Sequence, residues 1–142
     1  MRALALLALL ALPVHALERP ETSDVAQNYV LFCAGCHGPH GEGAPGKVPA
    51  FAGRLGKFLT VEGGRSFLLQ VPGVRNSQLS SAAVAAVMNH CIQRFATPDE
   101  ARGFVAYRAS EVEAARAAPL LAVRRRRAEL LHAAGVAEPN GY

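Results

Sequence analysis

The chain has 142 residues, 51% of them hydrophobic and 18% charged, with a formal net charge of +4, three cysteines and no tryptophan. Removal of an N-terminal leader would leave about 126 residues, enough for one domain of ordinary size, which excludes a two-domain arrangement. With 6% aromatic residues the chain has little ring area of its own from which to build a core.

The leader comes first. Met1-Arg2 is a short positive region, Ala3 to Leu12 is an unbroken apolar run, and Val14-His15-Ala16 reads as a small-x-small cleavage site. A run of that length falls short of the roughly 20 apolar residues that span a bilayer as a helix. Residues 1–16 are therefore expected to be a signal peptide cleaved near Ala16, leaving no permanent membrane anchor and a periplasmic, exported protein that begins near Leu17 and carries a charge of +3 once Arg2 is lost. Outside the cytoplasm, nucleic acid is excluded as a partner.

Thr22-Ser23-Asp24 offers N-cap candidates, and Gln27 three residues after Asp24 gives a capping-box pattern. The helix so opened carries Val25, Tyr29 and Phe32 as one apolar stripe and runs into Cys33. There the chain reads Cys33-Ala34-Gly35-Cys36-His37. Two thiols separated by two residues can reach the two vinyl groups on one edge of a porphyrin, and the adjacent histidine then lies under the ring with a nitrogen aimed at iron. The pentapeptide thus points to one covalently attached haem c, with Cys33 and Cys36 as attachment points and His37 as iron ligand. A structural zinc site would want a second ligand pair, and the remaining cysteine, Cys91, is isolated. A redox dithiol would want a strand leading into a helix, where this motif follows a helix. In an oxidising compartment a free CxxC pair would close to a disulfide unless haem consumed it. A bound haem would also give this small domain the apolar plate that its aromatics do not.

From Gly38 to Gly56 six glycines and three prolines predict a loop lying against the haem. A short helix with Phe67, Leu68 and Leu69 is expected between Thr60 and Val71, broken by Pro72-Gly73. Ser80 or Ser81 caps a firmer helix through Phe95, whose Val84, Val87, Met88, Cys91 and Phe95 share a face. Cys91 is expected to be a buried thiol. No stretch alternates with period two, so the fold class is all-α. Beyond residue 96, Ser110 with Glu113 suggests a capping box for a short helix, and Pro119 fits the first turn of another that runs to about Ala134 before Gly135. Leu120, Val123, Leu130 and Leu131 make an incomplete stripe on it, and Arg124 to Arg127 are expected to form a solvated face. The organisation expected is a haem domain over 17–96 and a helical extension over 97–142 that folds back on it.

In this setting the chain resembles the class I c-type cytochromes. The resemblance covers roughly Asp24 to Phe95 and rests on Cys33-Ala34-Gly35-Cys36-His37-Gly38, on Gly41-Glu42-Gly43, on Gly46-Lys47-Val48-Pro49-Ala50-Phe51-Ala52-Gly53, and on a last helix announced by Leu79-Ser80. It implies that the first and last helices cross beside the haem and that the Pro49 carbonyl accepts a hydrogen bond from His37, which would orient the imidazole and raise its basicity toward iron. Members of the family usually carry a methionine ligand on the loop before the last helix, and here Gln70 to Gln78 contains none. Met88 falls inside that helix, where core packing is expected of it. His90 occupies a place at the helix crossing where an aromatic residue is common, His132 sits in the extension, and Asn76 is a further candidate for the sixth position; His40 is expected to be solvated.

The function that follows is single-electron transfer between redox partners by an exported mono-haem cytochrome, a carrier more than a catalyst. Its partner would be a larger exported redox protein such as a dehydrogenase or a terminal reductase. The alternative is an open distal site that binds oxygen, nitric oxide or peroxide as a sensor or peroxidase-like protein, although the residues offer no identifiable distal acid or base.

Overall fold

The computed structural model describes residues 21–137; the leader read over 1–16 and the final residues 138–142 lie outside it. The described chain is all-helical: α1 (Val25–Phe32), α2 (Ala34–His37), a 3-10 helix (Gly56–Thr60), α3 (Gly64–Gln70), α4 (Pro72–Arg75), α5 (Ser81–Phe95), α6 (Ala109–Ala117) and α7 (Val123–Ala133). No strand forms among the described residues, and a lone antiparallel bridge joins Ala44 to Val48 in the glycine-rich loop. None of the described helices is long and apolar enough to cross a membrane.

The caps explain where the two principal helices start. Asp24 accepts hydrogen bonds on Oδ1 from the Ala26 and Gln27 amides, satisfying two donors that the first turn of α1 leaves unpaired. Ser80 does the same for α5 by accepting from the Ala83 amide. Tyr29 is buried while Val25 and Phe32 pack partly buried against the core, as the stripe requires. On α5 the buried residues Val84, Ala85, Val87, Met88, Cys91 and Ile92 make one broad face. Both α1 and α6 pack against this helix.

Three boundaries differ from the sequence expectation. Pro72 does end α3, but it also opens the one-turn helix α4, because its fixed φ and missing amide suit the first helical position. α6 begins at Ala109, ahead of the Ser110 cap: the Glu111 carboxylate accepts from the Arg108 amide, so the acidic partner lies two residues earlier than Glu113. α7 begins at Val123, and Pro119 lies in the link before it, where Leu120 packs against the core and Leu121 is exposed. The 3-10 helix at Gly56–Thr60 lies at the end of the stretch read as loop, and Phe58 within it is buried against Phe67, ring centroids 5.1 Å apart.

The core is continuous from the motif to the extension. Tyr29, Leu55, Phe58, Phe67, Leu68, Val84 and Cys91 share it with Tyr107, Val112, Leu130 and Leu131. α6 packs on α5 and α3, while α7 packs on α3 and the 3-10 helix. Full burial of one such aliphatic or aromatic side chain contributes about 1.5–3 kcal/mol, so the contacts from residues beyond 96 are a large share of what holds this chain together.

Candidate haem-attachment site

The site is built on the end of α1. Cys33 is its C-cap and also the N-cap of α2, so Cys33, Cys36 and His37 sit on one short helical turn, with the His37 amide bonded to the Cys33 carbonyl at 3.0 Å. Neither thiol is in a disulfide: Cys36 is exposed, and Cys33 is half-buried with its thiol pushed up to about 11 by burial and then by the neighbouring Cys36. Cys91 is buried as expected, its thiol raised to about 12 by burial and by the proximity of Cys33.

His37 is oriented from behind. Its Nδ1 lies 3.0 Å from the Pro49 carbonyl oxygen, which can only accept, so Nδ1 carries the proton and Nε2 keeps its lone pair. Burial holds the imidazole below its ordinary pKa; the Pro49 bond opposes that shift and the positive charge of Arg127 adds to it. The ring is therefore neutral at neutral pH and has its second nitrogen available to a metal. Phe51 stacks on it, ring centroids 3.8 Å apart and 18° from parallel.

The glycine-rich loop explains how Pro49 comes to be there. The Gly43 amide donates to the His37 carbonyl at 2.8 Å, and its backbone takes φ +65°. A Cβ at Gly43 would stand 2.8 Å from the Pro49 carbonyl carbon, so only glycine lets the two chain segments close on each other. Gly41, at φ +68°, accepts the Phe51 amide at 2.7 Å, and a Cβ there would press into the Phe95 ring. These two glycines place the carbonyl and the stacking ring. The Gly41-Glu42-Gly43 triplet was visible in the sequence, but the contact it permits was not.

An aromatic series continues the site toward the helix crossing. Phe51 meets Phe95 at 5.7 Å, Phe95 meets Tyr29 at 5.9 Å, and Tyr29 meets His90 at 6.2 Å. The Tyr29 hydroxyl donates to the Gly38 carbonyl at 2.7 Å, and Arg94 donates to the Pro39 carbonyl at 2.9 Å, so α1 and α5 are both tied to the loop that follows the motif. His90 thus sits at the α1–α5 crossing, beside Tyr29. Met88 is 6% exposed and belongs to the core; Asn76, His132 and His40 are exposed.

The arginine run of α7 is divided in its roles. Arg125 and Arg126 pair with Glu129 on the same helix, whereas Arg127 turns inward with its guanidinium 5.4 Å from the centre of the Phe58 ring, close enough to act on His37. The expected uniformly solvated face is corrected at that residue. The reason is helical geometry: successive residues are turned by about 100° around the axis, so four in a row are spread around most of the helix and cannot all point one way.

A thiol pair one helical turn apart, next to a neutral imidazole whose Nδ1 proton is already engaged, fits the donor set of a covalently attached haem. Among the described residues no three His, Cys, Asp or Glu side chains converge as a metal cage would need, so the zinc reading finds no second ligand pair. No family model matches the chain. Two curated proteins do, both of them cytochrome c-552 from Thermus thermophilus. Each is 35% identical over 116 residues, covering 69% of this chain and 88% and 78% of the respective relative. The chain belongs to the class I c-type cytochromes. Membership carries covalent haem c as the cofactor and electron transport as the activity, and the all-helical fold agrees with it. Within this cytochrome, the loop from Gln70 to Gln78 still has no methionine to offer iron.

Proposed function

We propose that this cytochrome is an exported mono-haem carrier of single electrons, with haem c attached through Cys33 and Cys36, His37 as the proximal ligand and the Pro49 carbonyl behind it. The observation that carries the reading is the 3.0 Å contact between His37 Nδ1 and the Pro49 carbonyl, since it leaves Nε2 as the only ring nitrogen able to bind iron. The haem, once bound, supplies the reversible one-electron change at iron.

The chain's own residues do the rest. Pro49 holds the proton on Nδ1 and increases the electron donation of the imidazole. Phe51, Phe95 and Tyr29 wall one side of the motif with apolar surface, while Cys36 and Gly35 remain exposed at the other. An exposed attachment edge on a mildly basic protein suits brief docking with a larger exported redox partner such as a dehydrogenase or a terminal reductase. Location in the periplasm rests on the leader pattern over residues 1–16.

The second reading, small-ligand binding at an open sixth position, is favoured by one observation: Met88, the only methionine beyond the leader, is packed in the core of α5. Two measurements test these readings. Protein matured with haem-attachment machinery should keep its haem through denaturing electrophoresis and acid acetone, and His37→Ala should abolish stable holoprotein; haem lost from the wild type under those conditions overturns the attachment. A carbon monoxide difference spectrum of the ferrous protein then separates a six-coordinate carrier, which stays unchanged, from an open site, which shifts.

A further inference from the structure

The turn between α4 and α5 is held by the extension. Arg116, on α6, donates through Nη2 to the Ser77 carbonyl at 3.0 Å and the Leu79 carbonyl at 2.7 Å, through Nη1 to Ser81 Oγ at 3.0 Å, and through Nε to the Arg75 carbonyl at 3.3 Å. Every nitrogen of the guanidinium is thereby engaged, and all partners lie between residues 75 and 81. The Arg75 side chain returns one bond, from Nε to the Arg116 carbonyl at 3.5 Å. These carbonyls belong to the last residue of α4 and to the turn that precedes α5, so no helix supplies them with a donor; a planar guanidinium with several donors in fixed directions can satisfy a cluster of this kind, and a lysine cannot. Glu21 closes the far end, its carboxylate accepting from the Ser80 amide at 2.6 Å and hydroxyl at 3.0 Å.

The same segment lacks the methionine that would bind it to iron. We propose that Arg116 is a positioning residue that tethers the 71–81 segment from the extension, so that this segment keeps its place whatever ligand the iron carries. The proposal rests on the reading of the chain as a haem-bearing cytochrome. Its consequence is that loop order and iron coordination are uncoupled: a change at the sixth position does not loosen the loop, and loss of Arg116 loosens it without removing haem.

Hydrogen exchange on full-length ferrous holoprotein, with and without carbon monoxide, tests this directly. In the wild type, amides of residues 71–81 should exchange at the same rate, within about twofold, in both conditions. Arg116→Ala should speed exchange across 71–81 by about tenfold or more while residues 24–37 stay within about twofold, and Arg116→Lys should recover only part of the protection. Ser81→Ala, which removes one of the four acceptors, should give a smaller change in the same residues and serves with Arg116→Lys if Arg116→Ala yields no holoprotein. Exchange in 71–81 that is unaltered in the Arg116 variants, that rises equally in residues 24–37, or that responds to carbon monoxide in the wild type as strongly as to Arg116→Ala overturns the proposal. A protein that carries no haem after maturation fails earlier, at staining, and overturns the underlying cytochrome reading instead. A protein that carries haem but does not bind carbon monoxide leaves the Arg116 comparison as the deciding one.

Discussion

The segment proposed for haem attachment and the C-terminal extension are both helical and share one core, but different interactions specify them. Between Asp24 and Gly43 the bonds that shape the backbone are mostly local: the Asp24 cap spans three residues at most, the Cys33 carbonyl serves the Cys36 and His37 amides, and Gly43 reaches back to His37, while the Arg94 bond to the Pro39 carbonyl is a long-range side-chain tie. Between Thr97 and Ala137 the deciding bonds are distant in sequence. Arg65 forms two parallel bonds with the Glu111 carboxylate, each 3.0 Å, and lays its guanidinium 4.1 Å from the Tyr107 ring centre; Asn89 exchanges a pair of bonds with the Tyr107 backbone; Arg116 gathers the 75–81 turn. A locally determined segment announces itself as a motif, whereas an extension fastened by single polar residues leaves only a weak apolar pattern.

Removing the extension is the strongest way to break this comparison. Truncation after Ala96 deletes Tyr107, Val112, Leu130 and Leu131, all nearly or fully buried, and uncovers the faces of α3 and α5 beneath them. At about 1.5–3 kcal/mol for each fully buried aliphatic side chain, the loss should be several kcal/mol, read as a lower thermal midpoint and new binding of a hydrophobic dye. Covalent haem should survive, since its motif lies in the other region. A truncated protein that melts with the full-length chain would make the extension a free arm.

Asn89→Ala asks how much one distant polar contact is worth. The Asn89 side chain donates to the Tyr107 carbonyl at 3.1 Å and accepts the Tyr107 amide at 2.7 Å, so alanine leaves both backbone groups without these partners in a partly buried place. The expected cost is about 1–3 kcal/mol in denaturant unfolding, with the haem spectrum unaltered. No measurable loss would mean that water replaces the amide, and that apolar burial alone fastens the extension.

Met88→Leu probes the boundary between the regions. Both residues fill similar volume in the buried face of α5, so stability should fall by less than about 1.5 kcal/mol and the spin state should not change. A conversion from low to high spin would instead identify Met88 as the sixth ligand.

The smallest effect concerns acid. Burial pushes the Glu100 carboxyl up, but hydrogen bonds from Lys57 and Thr97 and the charge of Lys57, its Nζ 2.8 Å away, more than offset this and leave its pKa below the usual 4.5. A carboxylate with a depressed folded-state pKa stabilises fully above its unfolded value, and that contribution disappears as pH falls from about 4.5 through the folded value. Glu100→Gln should therefore lower stability at neutral pH and flatten the acid side of the stability profile. Parallel profiles for the two proteins would show that Glu100 does not carry this pH dependence.

The sequence by itself determined the features set by neighbours along the chain. The CxxCH turn, the capping of α1 within residues 22–24 and of α5 within 80–81, the buried faces of α1 and α5 and the end of α7 at Gly135 each depend on residues within a few positions, where helical periodicity and cap chemistry are decisive. The resemblance also supplied Pro49 as the partner of His37, but not why it fits: the loop closes only because Gly43 has no side chain to hold the two strands of chain apart. Tertiary structure alone decided the rest. It turned Arg127 inward while Arg125 and Arg126 paired on the surface, started α6 from the Glu111 carboxylate in place of the Ser110 hydroxyl, and gave Arg116 the carbonyls of a turn far away in sequence. The physical reason is that an arginine or a glutamate is compatible with solvent, a helix end, an aromatic face or a buried cluster of acceptors, and which of these it meets depends on what the packed helices bring beside it: the Phe58 ring for Arg127, Arg65 and the Arg108 amide for Glu111, and unpartnered carbonyls for Arg116.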